Sequence, residues 1–458
     1  MFKNNFCGRV KIGGAEFICS VTGHIVTVLP ACQEDIEKLI PAYAVSNPEY
    51  IVGVDENSHL IALLVQKDIA ATPFAMMSSR FFATIMLQST SNTNFNGPID
   101  KFDAISFTDG TINTVYNPKI AALERVTEDS VLAHNQDGVR TIKVKPFKEY
   151  THSAGVTIDG ENARLIYTIT QSGGEDDLLT TSLGSLVSMI RLEFGNPQDL
   201  LKISRYYTVI KSLLAFCVKQ NNVIFDVALL KKNSKGQYAE TEICKIYNGY
   251  EDYCEQQFHN VIPISAFQNN LAKFIEIICD GGIDHLTVLL PKSNKNLSSI
   301  SITNIQDLCT ALEIEYNLCE YHDKSVKDSI TTKLKDEIKK AIKNFIEENT
   351  EIDVYQETTI SSCFQYLDFT LKDKILFLYC KHQTAVDAVI EKWKLPSVDI
   401  SSVGNFVKLR NNKTHSGIID WGESASIYSA LLSLVYACTL QRIGFSGNDI
   451  EKFVLQIF

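Results

Sequence analysis

Arg410 and His415 are the residues whose types and spacing best suit chemistry at a phosphate, in the run Arg410-Asn411-Asn412-Lys413-Thr414-His415-Ser416-Gly417. A permanently charged guanidinium fork beside an imidazole suits attack of a ribose 2′-OH on the neighbouring phosphodiester. His415 would act as general acid or base, Arg410 would stabilise charge developing on the phosphoryl oxygens, and Asn411 would orient the histidine or the phosphate. This chemistry needs no metal. Lys408, Asn412 and Lys413 flank the pair and are candidate contacts to RNA phosphates. The spacing alone arises by chance about once in two chains of this composition. The plain alternative is a surface arginine and a histidine that stabilise a helix end through its dipole.

A helix must carry these residues. From about Ser401, Val403, Phe406 and Val407 set a buried face, and the next position in phase is Arg410, a cation where an aliphatic side chain is expected. Asn411 and His415 are i and i+4 neighbours. Arg410 and His415 stand about 140° apart on a regular helix, so both line one groove only where the helix end loosens near Gly417. A symmetric dimer would supply a second acid or base from the same helix end across a two-fold axis.

The periodicities predict an α+β protein in three parts: a β-rich, sandwich-like or barrel-like region over residues 1–172, a mixed α/β extension over 173–298, and an all-α helical bundle over 299–458. The first part holds short Val-, Ile-, Phe- and Thr-rich runs at 8–12, 16–21, 24–29, 51–54, 60–65, 104–107, 141–144 and 164–170, punctuated by turns such as Asp109-Gly110. After the acidic loop 175–177, helices are expected at 178–194 and 198–219, strands at 223–230 and 240–246, and a helix at 265–279. These two parts should pack as one α+β region. From about 301 the chain reads as helices, with Ile305, Leu308, Leu312, Tyr316 and Cys319 on one face and Val326, Ile330, Leu334, Ile338, Ile342 and Phe345 on the next. Further helices fit 360–369, 372–393, 401–415, 423–443 and from 448.

Composition narrows the functions. A formal charge of −11 excludes nucleic-acid binding through one continuous basic surface. Residues 301–458 hold about 17 Lys plus Arg and about 22 Asp plus Glu, so the bundle itself is acidic. The lysines at 335, 339, 340 and 343 are read as a solvated helix face before an RNA-binding stripe. The twelve cysteines include no C-x-x-C pair, and the first residues have no apolar segment of the signal-peptide kind, so reduced thiols in the cytoplasm are expected. Cys319 with His322 and Cys380 with His382 each begin a zinc pattern that no second pair completes. His134, His152 and His285 read as structural, the Gly-Gly pairs match no phosphate loop, and the uncharged run 424–441 reads as a buried helix before a membrane span. No cofactor is expected.

The stretch Leu409–Gly417 resembles the R-x4-6-H signature of HEPN domains, with a polar residue directly after the arginine. Its surroundings resemble the Apea-like HEPN group: Ala311-Leu312-Glu313-Ile314-Glu315-Tyr316 on an early helix, and Leu440-Gln441-Arg442-Ile443-Gly444-Phe445 closing a long apolar one. The resemblance covers residues 300–458. More weakly, the start with Phe6-Cys7-Gly8-Arg9-Val10 resembles the N-terminal domain of abortive-infection ApeA proteins. It implies a bacterial anti-phage protein whose bundle forms a homodimer and cleaves RNA without metal, leaving a 2′,3′-cyclic phosphate and a 5′-OH. Arg410 and His415 would be the catalytic pair and Asn411 their polar support, with the N-terminal region sensing a phage-derived trigger or restraining the nuclease. The acidic bundle departs from a general RNA binder and favours a defined substrate such as transfer RNA. The alternative is a non-catalytic HEPN module that binds a nucleotide, RNA or a protein as a regulatory partner.

Overall fold

The computed structural model describes residues 5–12, 15–30, 50–67, 79–92, 101–119, 132–134, 140–142, 150–171, 186–247, 260–292, 300–319, 329–349, 351–353, 356, 370–416 and 426–458. The chain is mixed α+β and forms two compact units, Met1–Asp280 and Gly281–Phe458.

The first unit is built on one large antiparallel sheet. Six of its strands close into a ring: β1 (Asn5–Ile12), β2 (Ala15–Thr22), β3 (Ile25–Leu29), β4 (Tyr50–Asp55), β5 (His59–Lys67) and β6 (Ser79–Asn92), in the order β6-β3-β2-β1-β4-β5, with β5 returning to β6. Alternate side chains point inward, as strand geometry requires, and fill the ring with Val10, Phe17, Cys19, Val21, Val26, Val28, Ile61, Leu63 and Phe81. At one seam, β1 and β4 approach so closely that only glycine fits. A Cβ on Gly8 would lie 2.3 Å from the Val54 carbonyl oxygen, and one on Gly53 would lie 2.0 Å from that of Arg9.

Of the sandwich-like and barrel-like readings the structure shows the barrel, which runs into an open sheet, and β6 is the physical reason. Its residues 79–82 pair with β3 while 85–89 pair with β14 (Tyr238–Ile246), and β5 lies along its other edge. From β14 the sheet continues through β13 (Asp226–Lys232), β7 (Lys101–Thr108), β12 (Leu186–Asp199), β11 (Glu161–Gln171) and β10 (Tyr150–Ile158). β8 (Leu132–His134) and β9 (Arg140–Ile142) form a separate pair. The parts expected as 1–172 and 173–298 thus share one sheet.

A helix was expected over 178–194, but residues 186–199 form β12. Leu186, Ser188, Ile190, Leu192 and Phe194 are buried and their neighbours are not, which is the period of two that defines a half-buried strand. Among the described residues, besides the short α1 (Thr111–Val115), two α-helices cover this unit: α2 (Ile203–Val218) and α3 (Leu271–Cys279). Tyr206 of α2 meets Phe194 at 4.7 Å between ring centroids, and Phe216 meets Phe274 of α3 at 5.0 Å.

The described residues of the second unit are helical: α4 (Asp284–Leu289), α5 (Ile302–Leu318), α6 (Ser329–Glu348), α7 (Leu371–Trp393), α8 (Ile400–Ser416), α9 (Tyr428–Ile443) and α10 (Gly447–Ile457). The unit begins at Gly281 rather than near 299 because α4 packs on α5. Helix α5 starts on a capping box of Ser301 and Asn304, and α7 on one of Thr370 and Asp373, so two orphan N–H donors are satisfied at each start. Helix α9 is buried on nearly all sides between α5, α7 and α10, which accounts for a sequence that carries no charge before Arg442 in its last turn. Among the described residues, no helix is long and apolar enough to cross a membrane. The helix expected at 360–369 and the acidic loop at 175–177 lie outside the described residues.

Candidate functional site

Helix α8 starts at Asp399, whose Oδ1 accepts hydrogen bonds from the backbone N–H groups of Ser401 and Ser402, each at 2.8 Å. Val403, Phe406 and Leu409 then recur every three residues and are buried, seating α8 on α5 and α7. Arg410 comes next, half-buried at the edge of that face, with Lys408 and Asn411 exposed on either side. Burial pushes the Cys309 thiol of α5 up to about 12, and the positive charge of Arg410 acts against that shift. The guanidinium is thus within electrostatic reach of α5.

The helix is continuous through Ser416. Arg410 and His415 therefore stand about 140° apart around its axis, and Asn411 and His415 about 40° apart. The loosening that would turn both members of the pair to one groove does not occur up to Ser416. The side chains of Asn412, Lys413 and His415 lie outside the described residues, as does Gly417. Of the expected site, Lys408, Arg410 and Asn411 lie within one turn of one helix, with Lys408 about 160° and Asn411 about 100° around the axis from Arg410.

A second polar constellation escaped the sequence reading. Helix α5 buries Glu315, not Tyr316, in phase with Leu308 and Leu312. Glu315 Oε1 accepts from Arg442 Nη2 at 2.7 Å and Thr439 Oγ1 at 2.9 Å, and lies 2.8 Å from His285 Nε2. Its Oε2 accepts from Arg442 Nε at 2.9 Å. The same nitrogen, Arg442 Nη2, also donates to the Gly282 carbonyl at 2.8 Å. Burial pushes Glu315 up, but the hydrogen bonds and charges of His285 and Arg442 prevail and hold it below the ordinary carboxylate value. The legible signal was a glutamate in an aliphatic phase of one helix and an arginine near the end of an otherwise uncharged one.

His382 lies near this cluster, at a kink in α7 where the backbone leaves the helical region (φ −117°, ψ 20°). It is buried, and desolvation lowers it to about 4, with the negative charge of Glu315 and the Gln441 amide opposing the shift. Gln441 approaches it from α9, yet His382 Nε2 and Gln441 Oε1 each end without a hydrogen-bond partner. His285, read as structural, is the ring that meets Glu315, and His152 stacks on Tyr167 at 5.0 Å.

Glu315, Cys319 and Cys438 place one donor atom each within 4.8 Å of one another. They do not fit a metal. Both Glu315 oxygens are already taken up by hydrogen bonds from neighbours, and the Arg442 charge occupies the place a cation would need. Compared with models of known protein families, with curated proteins and with solved structures, the chain matches none of them.

Proposed function

We propose that the helical unit is a metal-independent endoribonuclease of an anti-phage abortive-infection system, cleaving RNA by attack of the ribose 2′-OH on the adjacent phosphodiester. The supporting observation is the placement of Arg410, half-buried at the edge of a packed helix face, with Asn411 exposed next to it and Lys408 exposed about 160° round the helix. A guanidinium at that edge can stabilise charge developing on the phosphoryl oxygens. His415 moves the proton, Asn411 orients it or the phosphate, and Lys408, Asn412 and Lys413 hold the flanking backbone. Two copies facing each other would supply the second acid or base. The first unit senses a trigger or restrains the nuclease, because unrestrained cleavage would kill the host, and transfer RNA is the favoured substrate class.

The continuity of α8 favours a second reading. With Arg410 and His415 about 140° apart on one helix, the same surface suits a module that binds a nucleotide, RNA or a protein without catalysis. Incubating the purified chain with total transfer RNA in EDTA, beside Arg410→Ala and His415→Ala, separates the two. The nuclease yields 2′,3′-cyclic phosphate ends in the presence of chelator and loses cleavage in both variants. Absence of cleavage, with unchanged host toxicity of the variants on phage challenge, moves the assignment to the binding module.

A further inference from the structure

Two thiols in the core of the helical unit are placed to react with each other. Cys319 caps the C-terminal end of α5, where the backbone has already left the helix (φ −65°, ψ 123°), and Cys438 lies within α9. Their sulfurs are within 4.8 Å of each other, and both are free thiols. A disulfide needs a bond of about 2.05 Å, so closure requires the sulfurs to swing together by rotation about χ1. Cys438 is fully buried while Cys319 retains 4% exposure, which makes Cys319 the point of entry for a small oxidant.

We propose that Cys319 and Cys438 form a redox-active dithiol that hydrogen peroxide converts into an intramolecular disulfide, joining the end of α5 to α9. The division of labour follows from the surroundings. A hydrogen bond from the Cys438 thiol and the charge of Arg442 hold Cys319 below the ordinary thiol value against burial and Glu315, whereas burial pushes Cys438 up. The Cys319 thiolate attacks one peroxide oxygen, the O–O bond breaks, and the departing hydroxide takes a proton to leave as water, giving a sulfenic acid. The Cys438 sulfur then attacks the Cys319 sulfur, the S–O bond breaks, and hydroxide leaves with the Cys438 proton as a second water. Two thiols are oxidised by two electrons and one peroxide is reduced to two waters. A small thiol reverses the bond by exchange.

The test treats the full chain with hydrogen peroxide, alkylates the remaining thiols under denaturing conditions, and maps the peptides by mass spectrometry. Exposed Cys7 and Cys380 report that oxidant reached the protein. The expected result is a peptide pair joined through Cys319 and Cys438 that separates on reduction. In Cys438→Ser, Cys319 should accumulate as a sulfenic acid trapped by dimedone, while in Cys319→Ser, Cys438 should remain a thiol. Full alkylation of Cys319 and Cys438 after Cys7 and Cys380 have been oxidised overturns the proposal, as does joining of Cys319 to any other cysteine. The wild-type map needs no substitution, so it decides the matter even where a serine variant fails to fold.

Discussion

Glu315 shows how much one side chain can govern in a helical core. Its carboxylate is fully buried and is held by Arg442, Thr439 and His285, so removal of Arg442 strips it of its guanidinium with no water to replace the two hydrogen bonds. Arg442→Ala should destabilise the helical unit by about 3–5 kcal/mol in urea denaturation. Replacing both residues by leucine should recover most of that loss, because the double variant strands no charge. A loss under about 1 kcal/mol for Arg442→Ala would mean that the pair is not closed in solution. Acid should act on the same cluster in two windows. His382 titrates at about 4 when folded and near 6.5 when unfolded. Below pH 6.5 the unfolded chain binds the extra proton, and stability falls by up to about 3 kcal/mol by pH 4. Glu315 is depressed below 4.5, so its contribution is complete above that value and is lost as pH falls through the folded value. Denaturation midpoints at pH 7, 5 and 4 should therefore decline for the wild type. His382→Leu should flatten the decline above pH 4.5 and leave the steeper acid loss, and an unchanged slope would show that His382 is not the titrating group.

At the scale of elements, what could be read from the sequence follows the strength of the period. Helices α2, α7, α8 and α10 were legible because long three- and four-residue repeats have one physical reading. β12 is hard to read although residues 186–194 alternate, because Leu and Met are also helix formers and the outward positions Val187 and Met189 are apolar too, which masks the period of two. A sandwich-like or barrel-like module was legible, but not the closure that makes it a barrel. It depends on β6 serving three partners, and pairing across dozens of residues leaves no local mark. At the site, Arg410 was legible as a cation in an apolar phase, but the course of α8 through Ser416 was not, since Gly417 signals an end without saying how the last turn behaves. The glycine seam offers a test of the barrel. Gly53→Ala drives a methyl into the Arg9 carbonyl, and with backbone on both sides unable to yield it should cost at least about 1–3 kcal/mol in thermal or urea unfolding. Gly155→Ala, on β10 with open space around the added carbon, should stay within about 0.5 kcal/mol of wild type. Equal effects at both positions would contradict the close approach of β1 and β4.

Over the whole molecule, electrostatics limits how RNA can be held. With a net charge of −11, long-range attraction to phosphate is absent, and affinity must come from a few local contacts. The proposed site offers Lys408 and Arg410, with Lys413 following in sequence. Each neutralised phosphate of a single strand contributes about −0.7 to the slope of log K against log salt, so three contacts predict a slope near −2. The binding of a short single-stranded RNA to His415→Ala, measured by fluorescence anisotropy from about 50 to 200 mM salt, should give that shallow dependence. Lys408→Ala should weaken binding evenly across sequences and reduce the slope by about 0.7. A slope steeper than about −5 would require a basic surface elsewhere, and the exposed lysines 339, 340 and 343 of α6 would be the place to look. No binding at any salt would remove RNA as the partner, and the helical unit would then be a protein-binding module whose Arg410 and Asn411 meet another chain.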